Sequence, residues 1–402
     1  MSQISVQRAA GENIFESLRE EWKQLFAATE FSSPFLSWEW LSNWYKFFGE
    51  DRTPFILKIY RENALIGLLP LCSQEKRVLG MKMKRLSFVG EEIGGADYLD
   101  LIAKPEDKTQ ILSAVFEFLK KEEYFDLICL ENIAGDSATV NFLQNSSKEK
   151  SNRLRYFDSV TAICPQINLA GGWDTVLKQS KRASNFKRRI KQLEKMSGFE
   201  FRSVTSPEET GEAFERFYNL HEKRWANCGG SELSGHPRLV SFQRDLIPAL
   251  AQSGLLRFDE LWVEGECRAS VYGLDDGKTF YYYNSGYDLD WGNYSVGLVL
   301  IGLSVRNAIE RGNSLYDFLR GEETYKFDWA NQKSELKTVS LNRRTIPALA
   351  HEGLSQIRLN LKNLSKFALP ADFANALKNR RREWKRNYQL SDLKAEKTLK
   401  GL

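Results

Sequence analysis

At 402 residues the chain is too long for one hydrophobic core, so two or three domains are expected. With 42% hydrophobic and 27% charged residues it is not a disordered polypeptide, and 57 basic against 53 acidic residues, net +4, gives no case for a general nucleic-acid binder. Five scattered cysteines (Cys72, Cys129, Cys164, Cys228, Cys267) form no CxxC pair and three histidines (His221, His236, His351) no ligand spacing, so no metal is expected.

There is no G-x-S-x-G elbow. The first residues lack a charged-then-apolar leader, and the longest apolar run, Val296 to Leu303, is short and broken by two glycines. A cytoplasmic protein without a transmembrane segment is expected.

In chain order, Ile14 to Phe26 reads as an amphipathic helix, and Pro34 to Phe48 as a second one capped by Ser37. Phe55 to Tyr60 and Ala64 to Leu71 form a hairpin, followed by strands at Arg85 to Val89 and Ala96 to Ile102. A helix from Thr109 to Glu122 and an apolar strand from Phe125 to Leu130 complete an α/β layer. The polar stretch 144–155 closes this first domain, residues 1–155.

The second domain, 156–344, opens with a strand from Tyr156 to Ile167. Trp173 to Met196 reads as one strongly basic helix with Lys181, Arg182, Lys187, Arg188, Arg189, Lys191 and Lys195 around an apolar stripe. That face is either a cradle for a phosphate or other polyanion, or simply solvated. A helix starts at Ser206-Pro207 and carries His221 on its apolar face, as a core residue or a base. Another, from Pro237 to Ser253, is expected to kink or restart at Pro248. Strands at 255–264, 266–274 and 278–287 follow, the last two joined by an Asp-Gly turn. Leu298 to Arg311 is a helix and Leu315 to Leu319 a strand. Residues 345–402 are expected to be a helical basic extension, either docked on its own domain or binding an anionic surface or partner.

The chemistry gathers between Tyr281 and Trp329. A helix opening at Ser295-Val296-Gly297 presents unpaired N–H groups, which bind anions. The next strand brings Asp317, Arg320, Glu322 and Lys326 to the same sheet edge, where ligands bind in such folds. Gly321 breaks that strand, and the aromatic-rich run through Tyr325, Phe327 and Trp329 is either a pocket wall or a core plug. Asp317 is a buried structural carboxylate or a base of raised pKa, and it reaches Arg320 only if the strand ends or bulges.

The run Tyr283-Asn-Ser-Gly-Tyr-Asp288, then Tyr294-Ser-Val-Gly-Leu298, then Tyr316 to Trp329 resembles the CelD/BcsL-type (BioF2-like) acetyltransferases of the GNAT superfamily over about residues 165–340. With the Trp-Glu-Trp-Leu helix of the first half, the chain is similar to the paired GNAT-like domains of the FemABX peptidyltransferases. The resemblance implies an α/β (α+β) fold of two tandem GNAT-like domains, each a mixed, mostly antiparallel sheet flanked by helices. It implies acyl transfer from acetyl-CoA to an amine or hydroxyl of a small-molecule or saccharide acceptor, in polysaccharide or cell-envelope biosynthesis. Tyr294, Ser295, Val296, Gly297 and Leu298 would take the CoA diphosphate, although the usual Q/R-x-x-G-x-G/A pattern is reduced to one glycine. Lys326 would stabilise negative charge, Glu322 or Glu323 would be the base, and Tyr283 or Tyr325 would protonate the leaving thiolate. Asp317, Arg320 and Trp329 would contact substrate. Two other readings stand beside this one: an aminoacyl-tRNA-dependent transferase, with the basic helix on tRNA, and a non-catalytic binding protein on the same scaffold.

Overall fold

The computed structural model describes residues 4–29, 33–148, 154–226, 230–355 and 357. The first half runs β1 (Ile4–Arg8), α1 (Ile14–Ser17), α2 (Arg19–Ala28), α3 (Trp38–Phe48), β2 (Thr53–Arg61), β3 (Ala64–Val78), β4 (Met81–Phe88), β5 (Ile102–Ala103), α4 (Lys108–Lys121), β6 (Leu127–Ala134) and α5 (Ala138–Ser146). The second runs β7 (Arg155–Asn168), α6 (Gly172–Gln179), α7 (Ala183–Leu193), β8 (Glu200–Val204), α8 (Pro207–Ala226), α9 (Glu232–Gly235) and α10 (Pro237–Gln252). It continues with β9 (Leu256–Val263), β10 (Glu266–Asp275), β11 (Thr279–Tyr287), α11 (Val296–Glu310), β12 (Leu315–Asp317), α12 (Thr324–Trp329) and β13 (Gln332–Asn342).

The strands form one mixed sheet in the order β1-β2-β3-β4-β6-β13-β7-β12-β11-β10-β9-β8, with β5 paired to β3. Read inward from either edge, the halves repeat: four strands in sequence order, then a fifth parallel to the fourth. The parallel pairs are β4–β6 and β11–β12, and a helix crosses between the members of each. The seam is β7 against β13, antiparallel from Gln332↔Gln166 to Asn342↔Arg155. β13, which the sequence pattern does not announce, also pairs with β6, so the chain's last described strand sits between its two halves.

One hydrophobic cluster joins α3, β2 and β3 of the first half to α8 and α10 of the second, with Trp40, Phe48 and Phe242 at the contact. A separate cluster lies between α6, α7, α11 and the other face of the second half's strands.

Several local expectations are corrected. The helix expected from Trp173 is two helices, because Ser180 leaves the helical path: its Oγ donates to Asp328 O and accepts from Arg182 N. Ile14 to Phe26 is likewise divided at Leu18. Pro248 lies inside a continuous α10. Ser37 does cap α3, accepting from Trp40 N.

The largest correction concerns residues 96–102. Only Ile102–Ala103 is strand; 89–101 is a loop, largely buried, in which Gly90, Glu92, Gly94, Gly95 and Tyr98 take positive φ. Two aspartates facing an apolar sheet would be left without partners. In the loop, Asp97 and Tyr98 find theirs in the second half. Residues 346–355 are helical, and the rest of the basic extension lies outside the described residues.

Candidate active site

β11 and β12 pair only from Thr279↔Leu315 to Tyr281↔Asp317. There β12 ends, while β11 runs on to Tyr287 along β10. A gap opens between Tyr282–Tyr287 and the segment Phe318–Lys326, with a cavity on each face of the sheet.

The first cavity, about 320 Å3, lies against the start of α11. Its walls include Ser295, Val296, Gly297 and Leu298, with Tyr287, Arg182, Arg224, Tyr325 and Trp329. Ser295 is left-handed at φ 54, turning the amides of residues 296–298 outward at the positive end of a 15-residue helix. Gly297 has a packing reason as well: a Cβ there would stand 3.1 Å from the Tyr287 ring. Arg182 is neutralised by Asp328 at 2.5 Å. Arg224 is held by neutral groups instead, the Ser285 hydroxyl at 3.3 Å and the Tyr287 ring at 4.5 Å, so its charge remains for an anion. Tyr294 packs on Trp291 beside this turn.

The second cavity, about 190 Å3, lies on the opposite face and is lined by Asp97, Glu232, Tyr283, Asn284, Arg320 and Lys326. Asp97 is 1% exposed. Its Oδ2 accepts from Arg320 N at 3.2 Å, its Oδ1 lies 3.2 Å from Arg320 Nε, and Oδ1 has no well-aligned donor. Burial raises its pKa against the lowering effect of Arg320. Lys326 is buried, donates to Arg320 O at 3.0 Å and pairs with Glu323 at 3.1 Å. Tyr283 donates to Gly94 O and accepts from Gln243 Nε2.

The expected site residues are thus divided between two faces. Tyr325, Trp329 and Ser295–Leu298 line the first cavity; Lys326, Arg320 and Tyr283 line the second. Glu322 and Glu323 are exposed and line neither. Burial holds the phenols of Tyr283 and Tyr325 above the ordinary range, so both stay protonated. Asp317 is buried and lines neither cavity; it borders a third, of about 250 Å3, together with Tyr98, Gln166 and Lys108, and Arg320 pairs with Asp97, not Asp317. His221 is a neutral core residue: one ring nitrogen meets Ser285 O, the other Ser231 Oγ, and burial lowers its pKa to about 4. Asp97 and Arg224 were missed by sequence reasoning. Asp97 lies some 220 positions from its partner Arg320.

A groove of about 1030 Å3 between α1, α3 and α10 carries the ion pairs Lys46–Asp245 and Glu39–Lys23. Among the described residues no group of His, Cys, Asp or Glu could hold a metal ion, and no helix is long and apolar enough to cross a membrane.

The molecule is a mixed α/β protein, and its residues 180–327 match the family model described as an acetyltransferase (GNAT) domain. No curated protein matches the chain.

Among solved structures it is similar to FemX (TM-score 0.56, 12% identity, covering 80% of this chain and 95% of that one). It is also similar to a Bacteroides thetaiotaomicron protein of unknown function (0.51, 12%, 85% and 100%). A third is the C-terminal domain of a protein assigned as a lysylphosphatidylglycerol synthetase of Agrobacterium fabrum (0.51, 10%, 85% and 96%). At these identities the likeness is one of fold.

Proposed function

We propose that this protein is an acyltransferase that takes an acyl group, acetyl in the simplest case, from acyl-CoA and gives it to an amine or hydroxyl of a small-molecule or saccharide acceptor. The supporting observation is the gap beside β11, with an anion-binding helix start on one face and a buried, under-bonded carboxylate on the other. The donor's diphosphate lies on the amides of Val296, Gly297 and Leu298, with Arg224 opposite. The pantetheine arm passes through the gap, so the thioester meets the acceptor at the second cavity.

Asp97, rather than the exposed Glu322 or Glu323, takes the acceptor's proton as the new bond to the acyl carbon forms. The C–S bond then breaks; the protonated Tyr325 phenol donates a hydrogen bond to the departing thiolate, which takes its proton from solvent, and Asp97 returns to solvent the proton it removed from the acceptor. Lys326 faces the charge that develops on the carbonyl oxygen. Pairing Asp97 with Arg320 keeps enough anionic character for this role despite burial.

Calorimetric titration of the full chain with acetyl-CoA tests the donor half of the reading. Binding is expected in the wild type and a loss of about tenfold or more in Gly297→Glu, which puts a carboxylate where the diphosphate sits. No heat in the wild type refutes it.

One observation favours a second reading. Exposed Lys187, Arg188, Lys191 and Lys195 extend α7 from the mouth of the donor cavity, a surface suited to a polynucleotide-borne donor. An aminoacyl-tRNA donor predicts transfer that ribonuclease abolishes and acetyl-CoA does not support.

A further inference from the structure

We infer that Asp317 and Tyr98 form a clasp across the two halves whose task is to aim Asp97 into the acceptor cavity; Asp317 is a positioning residue and not a substrate ligand. The inference rests on the acyl-transfer reading for the role of Asp97, but its geometry stands apart from the identity of donor and acceptor.

Tyr98 sits next to Asp97 on the loop 89–101. It takes φ 57, the left-handed region, which a bulky side chain rarely adopts. Of the loop's other left-handed positions, 90, 94 and 95 are glycines and 92 is a glutamate. A tyrosine is retained at 98, and its hydroxyl is spent on the second half. It donates to Asp317 Oδ2 at 2.6 Å and meets Ser334 Oγ at 2.9 Å.

Asp317 is itself fixed. Oδ2 also accepts from Gln166 Nε2 at 2.7 Å, and Oδ1 accepts from Leu319 N at 2.7 Å. Gln166 lies on β7, Leu319 just beyond the end of β12, and Ser334, which meets the Tyr98 hydroxyl, on β13. The left-handed turn at Tyr98 therefore points its ring toward β12 and leaves the preceding carboxylate at Arg320. Leu319, also left-handed at φ 55, makes the matching turn on the other chain segment, so each strained residue is tied to Asp317.

The loop is supported independently from the first half. Asn132 Nδ2 donates to Ala96 O, and Leu99 N donates to Asn132 O. Removing the Tyr98 hydroxyl should release the aim of Asp97 without unfolding the loop. Asp317 is faced by Tyr98, Gln166, Ser334, Tyr281, Cys164 and Asp97. Lys108, which lines the same small cavity, is paired with Asp100 at 2.9 Å, so the clasp itself is a hydrogen-bonded network rather than an ion pair.

The test is a carbon-13 titration of aspartate carboxyls in the full chain, with Asp97 assigned by Asp97→Asn. In the wild type Asp97 should titrate above the ordinary value of about 3.9. In Tyr98→Phe its midpoint should fall toward that value as the carboxylate swings to solvent, and Asp317→Ala should do the same. In the same samples acetyl-CoA affinity should be unchanged, and turnover, followed as free thiol, should fall about tenfold in kcat at constant KM for the donor. An Asp97 titration identical in wild type and Tyr98→Phe overturns the clasp, even if stability drops. Loss of acetyl-CoA binding in the wild type would instead refute the donor assignment and leave the titration result standing.

Discussion

Two side chains show how burial decides charge in this molecule. Arg224 keeps an available positive charge because its neighbours are a hydroxyl and an aromatic ring, whereas Arg182 beside it is cancelled by Asp328. Arg224→Ala should weaken acetyl-CoA binding by about 1.5–3 kcal/mol, while Arg182→Ala should cost less, as titration calorimetry would read. His221 illustrates the opposite case. Its folded pKa of about 4 lies below the ordinary 6.5, so the unfolded chain binds a proton that the folded one refuses. Stability should therefore rise with pH between those two values, by about 3 kcal/mol at most. Denaturant melts of wild type against His221→Gln between pH 4 and 7 would show a shallower slope in the variant.

The two parallel strand pairs differ in what fills the gap where they part. β4 and β6 also part after two paired positions, Arg85↔Leu127 and Leu86↔Ile128. There the gap is stapled by Glu91, whose Oε1 accepts from Phe88 N on one strand and Glu131 N on the other. Three carboxylates, Glu91, Glu92 and Glu131, share Arg85, and burial pushes the deepest, Glu91, up to about 8. The folded protein holds a proton that the unfolded chain gives up near 4.5, so this contribution to stability fades as pH rises from there to about 8. Glu91→Gln should flatten that slope; Glu91→Ala should cost about 1–3 kcal/mol at every pH, because two strand amides lose their acceptor. Urea unfolding at pH 5, 7 and 9 separates the two variants.

Elements of this size were legible where their causes are local. The Asp-Gly turn before β11 and the Ser37 cap of α3 need only neighbouring residues. The opening of α11 could likewise be read from Ser295-Val296-Gly297. Gly90 to Gly95 was legible as a loop from its glycines; residues 96–101 were not, because their pattern matches a strand and their polar partners lie beyond residue 300. β13 was missed for a similar reason: only the edges of β6 and β7 reveal why Gln332–Asn342 is extended.

At the scale of the whole molecule the halves are not independent. The boundary expected after residue 155 separates Asp97 and Tyr98 from Arg320 and Asp317, and it divides the core shared by α3, α8 and α10. We propose a different division, in which β13 is counted with the first half that it borders. A fragment beginning at 156 should then lose turnover and also melt well below the full chain, by thermal denaturation, since it exposes Phe242 and one edge of β13. A fragment of that kind retaining wild-type stability would restore the simpler boundary.

The position of β13 has a consequence for how the protein comes into being. Its partners on β6 lie about two hundred residues upstream, so during synthesis the first half leaves the ribosome with an unfilled slot between β6 and whatever comes next. Until Gln332–Asn342 is made, that slot is open to an extended segment of any other nascent chain. Translation stalled between residues 170 and 330 should yield a species that chaperones retain, and supplying the missing strand as a separate peptide should release it.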